Sequence, residues 1–209
     1  MGQYTAPLRD MQFVLYELLN VEGELQQLPR HAEIDAGIIS QVLEEGGKFT
    51  SEILFPLDRV GGKGGCRLDK DSHEVATPTG FKQAYRQYVE AGWPSLACDP
   101  EHGGQGLPLV LNNALYEMLN AANQAWTMYP GLSHGAYECL HAHGTAEQKA
   151  LYLPKLVSGE WTGTMCLTEP HCGTDLGLLR TRAEPQDDGS WKLTGGKIFL
   201  SAGEHGKAP

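Results

Sequence analysis

The chain has 209 residues, enough for one sizeable domain or for one domain and part of another. Its 41% hydrophobic and 20% charged residues are typical of a packed globular protein. The net charge of −10 argues against nucleic acid as the main partner, because binding to phosphate backbones usually needs a basic face. No apolar run approaches the roughly 18 to 20 residues of a membrane-spanning helix, so no membrane span is predicted.

The start of the chain and its cysteines favour a cytoplasmic protein. Arg9, Asp10 and Glu17 interrupt the first apolar residues, which is not the pattern of a secretory signal peptide. The five cysteines are odd in number and include no Cys-x-x-Cys pair, so free thiols in a reducing compartment are the simplest interpretation.

Helical patterns begin near the N-terminus. Residues 8–19 carry an apolar stripe, and Pro7 stands at a position suited to helix entry. A second helical stretch covers residues 33–60, where Pro56 should kink it and the glycine-rich residues 61–65 should end it in a loop. The predicted stripe of the first helix is Leu8, Met11, Leu15, Leu18 and Leu19. The predicted inward residues of the second are Ile38, Val42, Phe49 and Ile53.

More helices are predicted in the middle of the chain. Thr79 can cap a short helix. Two longer helices follow over residues 108–122 and 129–143, and Thr145 with Gln148 resembles a capping box for a last helix. The aromatic residues expected in the core are Trp126, Tyr129 and Tyr137.

The pattern changes to strands from Trp161 onward. Residues 161–168, 178–184, 191–194 and 197–201 alternate or concentrate apolar and β-branched residues, and residues 187–190 form a good turn. The fold class is therefore predicted to be mainly α, in two domains. A helical N-terminal domain covers residues 1–160, and residues 161–209 begin a β-rich domain that is incomplete, since its sheet edges would need partners.

Residues 165–175 are the stretch that is richest in possible chemistry. Gly173 permits close approach of a ligand to the backbone, and Thr168 and Thr174 offer short hydroxyl donors beside the carboxylates of Glu169 and Asp175. From the residues alone, a polar turn at the end of a strand is an open alternative.

This segment resembles the flavin-binding signature of acyl-CoA dehydrogenases, in which Thr-Glu-Pro is followed by a small-residue turn and Gly-Ser/Thr-Asp. Residues 92–106, 151–160 and 195–203 resemble other segments of that family in the same order, and both ends of the chain resemble a longer branch of it. His171, Cys172 and Leu178 depart from the pattern, because each is bulkier than the residue that is common there.

The resemblance implies the N-terminal helical domain of the acyl-CoA dehydrogenase fold, followed by the first strands of its middle domain. It also implies FAD-dependent oxidation of the Cα–Cβ bond of an acyl-CoA thioester to a trans-2-enoyl-CoA. Electron-transfer flavoprotein or a similar acceptor, and a homo-oligomer, are the implied partners. An acyl-CoA oxidase or flavin monooxygenase of the same fold, or a non-catalytic helical interaction module, stays open.

By the same resemblance, Thr168 would lie near the flavin N5 side, and Thr174 would point towards substrate or pyrophosphate. The family's catalytic base comes from a C-terminal helical domain that has no counterpart here. Glu169 is therefore expected to support its loop by hydrogen bonding, and this chain is expected to be inactive by itself. The implied cofactor-binding residues are Met165, Cys166, Leu167, Thr168, Gly173, Thr174, Phe199, Leu200 and Ser201.

Two other features are not expected to be ligand sites. His141 and His143 are two residues apart and so do not share a helix face, and no metal site is predicted. Residues 103–106 do not form a GxGxxG motif and follow no predicted strand, so a tight loop is expected there.

Overall fold

The computed structural model describes residues 3–201 together with Gly203, His205 and Gly206. The strands lie in two antiparallel hairpins, and the rest of the regular structure is helical, so the predicted mainly α class is confirmed. The helices are α1 (Leu8–Gln12), α2 (Val21–Gln26), α3 (Ala36–Lys48), α4 (Phe55–Gly64), α5 (Phe81–Glu90), α6 (Leu109–His143) and α7 (Ala146–Val157). The strands are β1 (Arg67–Leu68), β2 (Val75–Ala76), β3 (Arg182–Pro185) and β4 (Trp191–Thr194).

The first predicted helix is present, but its apolar stripe is only partly buried. α1 continues into a π-helical turn, Phe13–Leu18. Met11 and Leu15 are buried, whereas Leu18 and Leu19 are 66% and 51% exposed, contrary to the prediction. A π-helical turn has more residues per turn than an α-helix, so the spacing that would align all five residues no longer holds.

Helical structure runs from α3 through a second π-helical turn, Phe49–Leu54, into α4. Pro56 lies in the first turn of α4, where its missing N–H costs little. The interruption predicted at Pro56 is present as the π-helical turn that precedes α4. The loop predicted at residues 61–65 is wrong, because α4 continues to Gly64 and Gly65, whose φ is +59°, is its C-cap.

The buried face of this stretch also differs from the prediction. Val42 and Phe49 are buried as expected, while Ile38 and Ile53 are half-buried. The fully buried apolar residues of the stretch are instead Ile39, Leu43 and Leu54.

Helix caps follow one prediction and contradict another. Gly80, with φ +89°, occupies the N-cap position of α5, so the predicted cap by Thr79 is wrong. The capping box of α7 is confirmed: the Thr145 N–H donates to Gln148 Oε1 at 2.9 Å, and the Gln148 N–H donates to Thr145 Oγ1 at 3.3 Å.

α6 consists of two arms that meet at Asn123, the one residue with non-helical angles inside it (φ −163°, ψ 83°). The prediction of two helices is thus confirmed, although the second arm starts several residues before Tyr129. The arms fold back on each other, since Asn112 Nδ2 lies 3.4 Å from His134 Nε2. Trp126 and Tyr137 are buried in the core as predicted, and Tyr129 is half-buried.

Beyond residue 160, regular strands are fewer than predicted. β4 has the predicted bounds, and the turn at residues 187–190 is confirmed by the 2.9 Å hydrogen bond from Gln186 N–H to Ser190 O. β3 begins four residues later than expected, because Leu176–Leu178 is a 3₁₀ turn. Residues 161–168 and 197–201 are not regular strands, which corrects the prediction. The domain boundary at residue 160 stays a prediction.

Candidate cofactor site

The two segments predicted to bind a flavin lie side by side. We call residues 165–174 the first wall and residues 199–201 the second wall. The N–H of Ile198 donates to Thr168 O at 2.9 Å, and the hydroxyl of Thr164 donates to Ser201 O. These hydrogen bonds do not repeat as a ladder, which is why neither segment is a regular strand. The structure nevertheless brings together residues that are some 30 positions apart.

Apolar side chains of both walls face outward. Met165 and Leu167 of the first wall are 54% and 36% exposed, and Phe199 and Leu200 of the second wall are 83% and 50% exposed. Several exposed apolar side chains on two neighbouring segments are typical of a surface that another group covers. A flat apolar ring system would match this surface, so the residues present fit a flavin.

The remaining candidate residues differ in exposure. Thr168 and Ser201 are half-buried, whereas Cys166, Gly173 and Thr174 are exposed. A Cβ on residue 173 would lie 3.3 Å from Thr168 Cγ2, which explains why glycine suits that position. These exposures leave the backbone at Gly173 and the side chain of Thr174 accessible to a ligand.

Phe199 has an unusual backbone. Its φ of +55° lies in the left-handed region, which costs an aromatic residue roughly 1 to 2 kcal/mol. The left-handed residue also breaks the alternation of a strand, which accounts for the wrong strand prediction at residues 197–201. Backbone strain of this kind clusters at functional sites.

Glu169 is the buried centre of the site. Its side chain is 1% exposed, and it accepts hydrogen bonds from the backbone N–H of Arg180 at 2.9 Å and of Thr181 at 3.0 Å. The ammonium of Lys197 donates to Oε1 at 2.9 Å. Donors from Thr181, Lys197 and Arg180 hold the pKa of Glu169 far below its ordinary value, so the carboxylate is ionised and a weak base.

The hydrogen-bonding role that the sequence predicts for Glu169 is thus confirmed. Its partner Lys197 was not predicted as a functional residue, since the sequence indicated it only as part of residues 195–203. A lysine shortly before a candidate wall was the available signal, but nothing local pairs it with a carboxylate 28 residues earlier.

The first wall contains a tight turn from Glu169 to Cys172. Glu169 and Cys172 exchange backbone hydrogen bonds of 2.9 and 3.1 Å. Cys172 points inward and is buried, while His171 stays exposed and places Nε2 2.9 Å from Leu178 O. Two of the three bulky departures from the family pattern are therefore accommodated, Cys172 inside and His171 outside.

The possible metal-ligand atoms of Glu169, His171 and Cys172 lie within 4.8 Å of one another, a grouping that the sequence did not predict. Both carboxylate oxygens already accept N–H donors, and one is paired with an ammonium group. Because Leu178 O can only accept, His171 Nε2 carries a hydrogen in this arrangement. Both Glu169 oxygens and His171 Nε2 are therefore already engaged in hydrogen bonds.

The second arm of α6 contacts the chain just before the first wall, at Gly163. The N–H of Gly163 donates to Ser133 Oγ at 3.1 Å, and a Cβ on residue 163 would lie less than 3.0 Å from Ala136 Cβ. Close contact with the helix thus requires glycine at this position. His205 also reaches this region, with Nε2 3.0 Å from Thr162 Oγ1.

The features expected not to bind ligands have ordinary structural contacts. His141 stacks on Tyr137 and lies 3.8 Å from a carboxylate oxygen of Asp99. In the loop of residues 103–106, Gln105 Nε2 donates to Gly92 O at 2.7 Å, as expected of a tight loop. All five cysteines are free thiols. Among the described residues, no helix is both long and apolar enough to cross a membrane.

Comparison with known proteins decides the family. Residues 67–160 match the acyl-CoA dehydrogenase N-terminal domain. This part of the chain is an acyl-CoA dehydrogenase N-terminal domain. The family predicted from the motifs is therefore confirmed.

Relatives match the chain almost from end to end. It is 43% identical to the 3-methylmercaptopropionyl-CoA dehydrogenase of Ruegeria pomeroyi over 97% of this chain and 34% of that protein. It is 33% identical to the broad-specificity linear acyl-CoA dehydrogenase of Mycobacterium tuberculosis over 99% of this chain and 33% of that protein. The chain thus spans about a third of the length of these relatives.

Similarity to solved structures agrees with the predicted fold. An acyl-CoA dehydrogenase from Bacillus anthracis, solved in complex with FAD, superposes with a TM-score of 0.63 at 21% identity. The match covers 81% of this chain and 27% of that one. At this identity the likeness shows the fold alone, and the fold is the one that the motifs predict.

Proposed function

We propose that this chain is the N-terminal part of a FAD-dependent acyl-CoA dehydrogenase, which oxidises the Cα–Cβ bond of an acyl-CoA to a trans-2-enoyl-CoA. The single observation that carries the proposal is that hydrogen bonds from residues beside each wall, Ile198 to Thr168 and Thr164 to Ser201, hold the two walls next to each other. Their motifs are distant in sequence, and both walls carry exposed apolar side chains. The chain would supply these walls and the helical support behind them. The division into a helical domain of residues 1–160 and an incomplete β-rich domain of residues 161–209 is part of this proposal.

Each candidate residue has a proposed task. The flavin, when bound, supplies the hydride acceptor for the reaction. Met165, Leu167, Phe199 and Leu200 would cover the ring and exclude water. The hydroxyl of Thr168 would be placed to donate to the N5 side of the ring.

The exposed end of the first wall would serve the rest of the ligands. Gly173 would let the backbone approach the cofactor, and the hydroxyl of Thr174 would be placed to donate to substrate or to pyrophosphate. Cys166 and Ser201 would complete the two walls.

The proton on the substrate Cα needs a base that Glu169 does not provide. Its carboxylate is buried, saturated by N–H donors and held at a low pKa, so it neither reaches a substrate nor binds a proton near neutral pH. The chain by itself is therefore proposed to be inactive in dehydrogenation. An acyl-CoA thioester, an electron-transfer flavoprotein or similar acceptor, and a second copy of the protein are the proposed partners of the whole enzyme.

The test is retention of FAD by the purified chain. After incubation with FAD and removal of the excess, a visible flavin absorption band that stays with the protein would support the proposal. A Phe199→Ala variant should retain less FAD, whereas Leu193→Ala, which alters an exposed residue of β4 outside the walls, should retain as much as the wild type. Equal retention by both variants would contradict the placement of the flavin at the walls.

A further inference from the structure

Lys197 lies at the junction of the two walls. Its ammonium donates to Leu167 O and to Glu169 Oε1, both at 2.9 Å. The next residue, Ile198, donates its N–H to Thr168 O. Two consecutive residues that lead into the second wall thus hold three consecutive residues of the first.

The junction contains an ion pair between Lys197 and Glu169. The Glu169 side chain is 1% exposed and that of Lys197 is 21% exposed, so the pair is largely shielded from water. The only other basic group within ion-pair distance of Glu169 among the described residues is His171, at 3.4 Å. Without the ammonium, a buried carboxylate would keep only its backbone donors and the imidazole. Removing one partner of a buried pair is costly for that reason.

The geometry also has a direct consequence for the exposed apolar surface. Leu167 belongs to that surface, and its carbonyl is fixed by Lys197. Phe199 lies two residues beyond Lys197, in the left-handed conformation. A shift of the lysine would therefore change the separation between side chains on opposite walls.

We propose that Lys197 is a positioning residue that sets the separation of the two candidate flavin walls, acting through Leu167 and Glu169. This inference rests on the proposed function for its consequence, but its physical basis is the junction itself. Lys197 would not contact reacting atoms. It would determine how closely both walls can cover a flat ligand.

The first arm of the test uses the chain without cofactor. Lys197→Met keeps the length of the side chain and removes the charge, and the matched control is Lys192→Met on the exposed face of β4. Amide hydrogen exchange is measured by mass spectrometry over residues 165–181. Lys197→Met removes the charged hydrogen bond between Lys197 and Glu169, which holds the acceptor of the Arg180 and Thr181 amides in place. Exchange of these two amides should therefore become faster by about tenfold or more. Lys192→Met should leave exchange unchanged.

The second arm uses FAD. Lys197→Met should weaken FAD binding and change the shape of the visible absorption and circular dichroism bands of the bound flavin, because the ring would be covered differently. Lys197→Arg, which restores the cation, should recover part of both. A role in folding alone would lower the bound fraction without changing the bands of the flavin that remains bound.

The outcomes separate the two proposals. Unchanged exchange in Lys197→Met, or equal acceleration in the Lys192→Met control, overturns the inference. Unaltered flavin bands in Lys197→Met also overturn it where the wild-type chain binds FAD. If the wild-type chain binds no FAD, flavin binding by the chain alone is refuted, while the exchange experiment still decides whether Lys197 holds the walls together.

Discussion

Gly163, two residues before the first wall, is in close contact with α6. A Gly163→Ala substitution should therefore detach the first wall from the helices. The added Cβ would lie less than 3.0 Å from Ala136 Cβ and 3.4 Å from Leu132 O. Overpacking of this kind costs about 1 to 3 kcal/mol. The displaced backbone would also lose the 3.1 Å bond to Ser133 Oγ, a further ~1 kcal/mol.

The helices need not unfold, since the wall can relieve the clash by moving away. A cost of about 2 kcal/mol raises the detached population roughly 30-fold. Limited proteolysis beyond Trp161 should accelerate by a similar factor when cleavage is slower than reattachment, while far-UV circular dichroism of the helices stays the same.

Two further variants sharpen this experiment. Combining Gly163→Ala with Ala136→Gly removes the overlap and should restore slow cleavage. The new glycine destabilises α6 by about 1 kcal/mol, so the recovery should be incomplete. Gly135→Ala is the matched control, because a Cβ there meets nothing within 4 Å. If Gly163→Ala is cleaved as slowly as the wild type, or if the double variant is no slower than the single one, the close contact with α6 does not hold the wall.

The remaining predictions concern the turn in α6, the buried carboxylate and the exposed aromatic ring. Asn123→Ala should lower the free energy of unfolding by about 2 to 4 kcal/mol in urea, because it removes a cap worth about 1 kcal/mol and leaves a buried carbonyl without its donor. The exposed Asn120→Ala should change it by less than about 0.5 kcal/mol, and equal losses would refute the turn's role. The pKa of Glu169 is lowered by folding, so its contribution is complete above the ordinary glutamate pKa of about 4.3 and is lost as pH falls towards the folded value. Amide exchange over residues 165–181, corrected for intrinsic rates, should therefore be constant from pH 7 to about pH 5 and rise in more acid solution, and Glu169→Gln should abolish that dependence; an onset near neutral pH would contradict the assignment. Phe199→Ala should weaken FAD binding about tenfold, which corresponds to ~1.4 kcal/mol for a lost aromatic contact, in a fluorescence titration where Leu193→Ala shows no change.

The helices were predictable where short-range interactions decide the conformation. The capping box of α7 needs only Thr145 and Gln148, and the turn between β3 and β4 needs only residues 186–190. Each of these features is stabilised by groups within a few positions of one another, so the local sequence contains all the partners. The motifs of residues 165–175 and 195–203 likewise indicated the family without any knowledge of their contacts.

Other features depend on partners that are far away in the chain. Asn123 reverses α6 because its amide also bonds to Leu54 O, 69 residues earlier. Residues 161–168 have strand-like composition, but only isolated hydrogen bonds reach them from residues near 198, and a strand requires a continuous ladder.

The candidate site shows the same division. The family resemblance of the sequence motifs predicted which residues could line a flavin and that Glu169 supports its loop and is not the base. Only the tertiary structure decided that Lys197 would neutralise that carboxylate and that Gly163 would lie against Ala136. Burial, ion pairing and steric overlap are properties of distances between residues, and those distances are set only when the chain has folded.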